Sequence, residues 1–302
     1  NKPVRYAEPI MQQLGLAQRS AVLVCPDHVS RSKPDPEMIL LACAKMGVEP
    51  AATLFVGDDE RDIIAARAAA MPSVAALWGY RLHSDDPLAW QADVLVENFL
   101  PGTLERWGLG YEQTLSARYP RLIHCSITGF GNDGPLGGLP GYDAVLQAMC
   151  GLMSINGDEC SGTTRVGMPI VDHLTGYVAL TGILMALQAR HASGQGQRVE
   201  ATLYDTALSL LLPHASNWFA SKDSPRLLGS AHPNIAPYDK FRAQDGELFI
   251  GILNDAQFRR LGACLGLDQL LEDERFASNS LRVANRAALK AVIEAAIQDR
   301  AC

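Results

Sequence analysis

Positive charge, cysteine pattern and long apolar runs are what this sequence is short of. Its 302 residues carry a formal net charge of −7, with 26 Lys and Arg against 33 Asp and Glu. No stretch is basic enough to leave an electrostatic footprint for nucleic acid or an anionic membrane surface, so both are excluded as expected partners. The seven cysteines are scattered, odd in number and show no C-x-x-C spacing, which signals neither a disulfide framework nor a zinc site and fits a reducing, cytoplasmic setting. The longest apolar stretch, about Leu174 to Ala189, is broken by Gly176, Gly182, two threonines and Gln188. It falls short of the ~20 apolar residues of a membrane span and is expected to form a buried helix. No signal peptide is visible, and the opening NKPVRYAEPIM reads as mid-domain sequence with an upstream piece missing.

What is present divides near residue 97. Over 1–97, short apolar runs alternate with helical spacing: AVLVC (21–25), TLFVGDD (53–59) and SVAALWGY (73–80) read as strands, and 36–47 and 60–71 as helices. This β-α-β-α-β order predicts an α/β fold with a Rossmann-like parallel sheet. The second run ends in GDDERD, where Asp58, Asp59 and Asp62 would repel one another unless a hard cation such as Mg²⁺ sat among them. Asp58 or Asp59 capping the next helix is the competing reading. Lys33, in SKPDPE, precedes a helix start and on its own is a solvated surface lysine.

Together, Lys33 and GDDxxD make the first part resemble the haloacid dehalogenase superfamily of phosphatases, over residues 1–97. The resemblance implies that Asp58 and Asp59 hold Mg²⁺ and that Lys33 steadies a phosphoryl group. That family's nucleophilic aspartate sits in a D-x-D-G-T stretch, which occurs nowhere in this sequence. Without a nucleophile phosphoryl transfer cannot begin, so the site reads as vestigial. A Mg²⁺-dependent phosphatase acting on phosphoglycolate or a sugar phosphate is the alternative function.

From about residue 92 the motifs change. ADVLVENFLPGTLERWGLGYE (92–112), PRLIHCSITGFG (120–131), GYDAVLQAMCGLMSING (141–157), RVGMPIVDHLTG (165–176), GQGQRVEATLYDTALSLL (194–211) and LGSAHPNIAPYDKF (228–241) follow in order. These resemble the family III CoA-transferases, and the second segment, 98–302, is expected to be a CoA-transferase domain incomplete at both ends. The resemblance implies a reaction between an acyl-CoA and a carboxylic acid, with coenzyme A as substrate and carrier and a homodimer as the assembly.

Residue roles follow from the same resemblance. Asp172 becomes the nucleophile, Tyr142 and Asp143 its neighbours, and Asn98, Phe99 and Arg106 the coenzyme A contacts. Gly229, Ser230 and His232, in the LGSAHP turn, supply backbone N–H groups for an oxyanion. On local pattern alone each has a plainer reading: Asp172 as the cap of a helix beginning just after it, Asp143 as another cap, 229–232 as an ordinary Gly/Pro turn. As a cap-like carboxylate at a helix N-terminus, Asp172 is expected to be held ionised by free backbone N–H groups and the macrodipole. Gln147 and the tryptophans Trp78, Trp107 and Trp218 are expected to be structural. The join inside ADVLVE leaves two outcomes open: the phosphatase-like units complete the transferase sheet, or the chain is an inactive hybrid whose halves pack poorly.

Overall fold

The computed structural model describes residues 2–77 and 90–301. In chain order the strands are β1 (Phe55–Gly57), β2 (Ser73–Ala76), β3 (Val94–Glu97), β4 (Ile123–Thr128), β5 (Gly157–Asp158), β6 (Gly162–Thr163), β7 (Arg198–Thr202), β8 (Tyr238–Arg242) and β9 (Glu247–Gly251). The chain divides into two compact units, one of residues 1–143 and 170–206, the other of 144–169 and 207–302.

The first unit is built on one parallel sheet of order β1-β2-β3-β4-β7. Its central strands are buried on both faces, which is why VLVE and IHCSIT read as nearly continuous apolar runs rather than as alternating ones. Val74, Val94, Val96, Ile123 and Cys125 face the helix Ile170–Ser193, and Ala75, Leu95 and Trp90 pack on the opposite side with Ile63, Leu115 and Leu122. The sheet passes through the join without a break: Ala75 of β2 stands opposite Leu95 of β3, and Val96 opposite Cys125 of β4. The phosphatase-like strands therefore continue the transferase-like sheet.

Three expectations are corrected. Residues 21–25 form no strand; Leu23 and Val24 instead line a cavity of about 330 Å³ with Lys33 and Phe55. The run at 73–80 is a strand over Ser73–Ala76, and Trp78, Gly79 and Tyr80 lie outside the described residues. The helix Ile170–Ser193 runs 24 residues, long and apolar enough by length and composition to cross a bilayer. It is buried along one stripe, Val171, Thr175, Ala179, Ile183, Ala186 and Arg190. That i, i+4 row packs on β4 and β7 while Tyr177, Val178, Leu184 and Met185 are exposed. The expected buried helix is thus half-buried.

The second unit has its own core. Phe241, Phe258, Phe276, Leu289 and Ile293 pack together beneath the antiparallel β8–β9 hairpin and the helices Asp255–Leu265 and Arg286–Ile297. Arg282, buried there, donates to the carbonyls of Ala236 and Phe276 and to Asp255, which satisfies a guanidinium that would otherwise be costly to bury.

Candidate active site

The carboxyl ends of β3 and β4 open into a cavity of about 580 Å³ lined entirely by the first unit. Two glycine features shape it. Gly129, just past β4, lies so close to the 140–141 backbone that a Cβ would stand 2.6 Å from the Gly141 nitrogen. That approach brings Tyr142 and Asp143 onto the sheet end. Asp172, Thr175 and Gly176 enter from the first turns of the long helix.

Of the residues expected to act together, Asp172, Tyr142, Asp143, Asn98 and Phe99 all line this cavity. Tyr142 is 74% exposed, and Asp172 is exposed as well. Arg106 does not line it: at the end of the short helix Thr103–Arg106 it is exposed and donates to Thr103 Oγ1 at 2.8 Å. Trp107, expected in the core, is 55% exposed and meets Phe99 edge-on, centroids 5.4 Å apart. Trp218 is exposed too, because its helix His214–Ser221 buries no residue. Gln147 is fully buried, its Oε1 accepting the Val166 N–H at 2.9 Å.

Asp172 is not the residue that caps its helix. The helix begins two residues earlier, at Ile170, and its free N–H groups are met by Asp143, whose Oδ2 accepts from Val171 N at 2.8 Å and from Asp172 N at 3.3 Å. Asp143 itself opens the helix Asp143–Met149 and is 8% exposed. With the capping done by a neighbour, the Asp172 side chain is left facing the cavity. Its pKa is raised from the ordinary aspartate value, first by desolvation and then by the Asp143 charge, with His173 opposing. The expectation of a carboxyl held in its charged form is therefore reversed in sign.

Gly229, Ser230 and His232 belong to the second unit. Gly229, at φ +60°, donates its N–H to Gly157 O, Ala231 donates to Leu228 O and His232 to Tyr238 O. To serve an oxyanion these amides would have to leave those acceptors. The His232 ring meets Tyr238 edge-on and accepts the Asn234 N–H, and burial with the nearby Arg286 charge lowers its pKa.

In the phosphatase-like part the acidic groups do not converge on a cation. Asp59 caps the helix Glu60–Ala68 and takes both the backbone N–H and the guanidinium of Arg61, which pulls its pKa down to about 2. Lys33 donates to Asp62 Oδ1 at 2.7 Å, and Asp58 is half-buried beside them. Gly57 makes room, since a Cβ there would collide with Asp62. Among the described residues no three His, Cys, Asp or Glu side chains gather as a metal cluster, and Asp59 and Asp62 are instead taken up by Arg61 and Lys33.

Two site residues escaped the sequence reading. Glu97, at the end of β3, and His124, at the start of β4, are each 5% exposed. The signal was there: each is an ionisable residue within an otherwise apolar strand run, and such groups are buried only with partners. Burial would push Glu97 up, but the His124 ring, the Ser126 hydroxyl and the Phe99 N–H outweigh it and leave its pKa lowered.

Comparison with known proteins finds two matched segments. Residues 86–302 match the model of CoA-transferase family III, and residues 1–70 match that of haloacid dehalogenase-like hydrolases. A succinate–glutarate CoA-transferase of Agrobacterium fabrum is 40% identical over 202 residues, covering 67% of this chain and 50% of that protein. An acetyl-CoA:oxalate CoA-transferase of Acetobacter aceti is 41% identical over 208 residues, 68% of this chain and 53% of its own length. The chain thus spans about half the length of the curated transferases it matches. Over 98 residues, 32% of the chain, it is 58% identical to an N-acetylmuramic acid 6-phosphate phosphatase of Pseudomonas aeruginosa, covering 43% of that protein. Among solved structures, a CAIB/BAIF family protein of Brucella suis superposes with a TM-score of 0.60 at 40% identity, covering 76% of this chain and 61% of that one.

Proposed function

Because this chain belongs to CoA-transferase family III, we propose that it moves coenzyme A from an acyl-CoA to a carboxylic acid through an aspartyl-CoA thioester on Asp172. The observation that carries this reading is an exposed carboxylate, not used as a cap, opening on a cavity beside Asn98, Phe99 and Tyr142.

In the first step an Asp172 carboxylate oxygen attacks the thioester carbonyl. The C–S bond breaks, a mixed anhydride forms and the CoA thiolate leaves. The thiolate then attacks the aspartyl carbonyl, which releases the donor acid and leaves CoA joined to Asp172. An acceptor carboxylate attacks that thioester and expels the thiolate once more. The thiolate takes the acyl group from the new anhydride, and the Asp172 carboxylate is restored. No proton is consumed, so the site needs an ionised nucleophile rather than a general base.

The residues present fit coenzyme A in part. Phe99 offers a flat apolar face at the cavity wall, and the exposed Arg106 guanidinium suits a phosphate. Each acyl transfer develops an oxyanion, for which backbone N–H donors are the usual partners. Relatives named for succinate, glutarate and oxalate support a dicarboxylic acid as one substrate. A cytoplasmic homodimer completes the reading.

The test is mass spectrometry of the chain after incubation with succinyl-CoA and borohydride-free quenching. A CoA-mass adduct on the peptide bearing Asp172 supports the proposal; an unmodified peptide, or an adduct elsewhere, overturns it.

A further inference from the structure

Glu97, Leu100 and Pro101 line the active-site cavity on one side and a second cavity of about 450 Å³ on the other. The chain from 97 to 101 is thus a wall with open space on both faces. Packing reaches it through Phe99, which rests on the cluster of Leu95, Leu115 and Leu122, and leaves Asn98 and Leu100 exposed. Yet it carries Asn98 and Phe99, the side chains the proposed function gives to coenzyme A.

One buried carboxylate ties this wall down. Glu97 Oε2 accepts the Phe99 N–H at 2.7 Å, closing a short ring across Asn98. The carboxylate is itself fixed from β4. Ser126 stands directly opposite Glu97 in the parallel register, and His124 Nε2 lies 3.7 Å from Glu97 Oε1. The His124 ring stacks under Tyr111, centroids 5.7 Å apart and 19° from parallel, so it cannot swing away. Neither ring nitrogen of His124 has a hydrogen-bond partner among the described residues, and the Glu97 carboxylate lies beside Nε2.

We propose that Glu97, braced by His124 and Ser126, is a positioning residue that holds the Asn98–Phe99 turn in the shape that receives coenzyme A. The inference rests on the proposed function. It assigns Glu97 to substrate binding and not to the acyl-transfer steps. A carboxylate is suited to this task because a charged acceptor makes a stronger hydrogen bond to a backbone N–H than a neutral one does.

The full chain is titrated with free coenzyme A by calorimetry, as wild type, Glu97→Ala and Glu97→Gln, and the exchange of the Phe99 amide proton is followed without ligand. Glu97→Ala is expected to weaken coenzyme A binding on the order of tenfold, the worth of one charge-assisted hydrogen bond. It should also strip protection from the Phe99 amide. Glu97→Gln keeps an acceptor oxygen without the charge and is expected to restore both in part. Binding by Glu97→Ala equal to wild type overturns the inference alone, as does a Gln variant no better than Ala. Wild-type chain that binds no coenzyme A overturns the proposed function and this inference with it, while Phe99 protection reports separately on the hydrogen bond.

Discussion

At the scale of single residues, the site turns on two aspartates with divided duties. Asp143 meets the N–H groups at the helix start, and Asp172 is thereby released to the cavity at the cost of a like charge beside it. Because desolvation and Asp143 both raise the Asp172 pKa, the anionic nucleophile is lost at a higher pH than for an ordinary aspartate of 3.8. Removing the Asp143 charge takes away the second cause, so in Asp143→Asn the acidic limb of the adduct-formation rate should move to lower pH; a limb that moves upward or stays would contradict the assignment. The same sign governs stability. A group whose folded pKa is raised contributes stability that is present below its unfolded value and lost as pH rises through the folded one. Asp172→Asn should therefore abolish the CoA adduct while raising Tm at neutral pH, with the gain shrinking as pH falls through the raised folded pKa and gone below the ordinary aspartate value of 3.8, all readable by differential scanning calorimetry. A neutral or lowered Tm at pH 7 would mean the two carboxylates are not in conflict. Sequence could place Asp172 at a helix start but not say who caps that start, because the capping side chain lies 29 residues away.

The long helix shows the same division at the scale of elements. Its apolar spacing was legible. Its partner was not, since a row of Val, Thr, Ala and Ile reads alike against a sheet or against lipid. Gly182 is the residue that reveals the contact. In an exposed helix a glycine is simply less stable than alanine by up to about 1 kcal/mol, but here a Cβ would stand 2.6 Å from Val199 Cγ1 of β7. Gly182→Ala should then destabilise by about 1–3 kcal/mol through overpacking, against its propensity gain. Urea unfolding of Gly182→Ala, Val199→Ala and the double variant checks this. The double variant should recover much of the loss, and simple additivity would show that helix and strand do not meet there. The failed strand at 21–25 has the complementary lesson: Val22, Leu23 and Val24 share a cavity with Leu54 and Phe55 at the sheet's edge yet form no ladder with it, so local β-propensity in AVLVC does not by itself make a strand.

For the whole molecule, sequence motifs identified two unlike segments in the right order, but whether they form one fold was beyond their reach. Parallel pairing depends on contacts distant in the chain, and both segments own an apolar strand that could terminate a sheet. The register answers it: Phe55–Gly57 and Ser73–Ala76, from the hydrolase-like side, continue into Val94–Glu97 and Ile123–Thr128 on the transferase side. Val74 also shares its core cluster with Ile123, Ala179 and Ala201. A core shared in this way should open as one cooperative unit. Hydrogen exchange is expected to give the amides of β2 and β4 the same opening free energy and the same denaturant dependence. Ala75, fully buried between Leu95 and Ile63, supplies the matching perturbation. Ala75→Asp places an unpaired charge there at a cost of about 3–5 kcal/mol. In a shared core, protection in β4 falls as far as protection in β2, although β4 lies two strands away. If β4 keeps its protection while β2 loses it, the hydrolase-like strands are an appendage on a transferase core, and a sheet continuous in geometry is not continuous in energy.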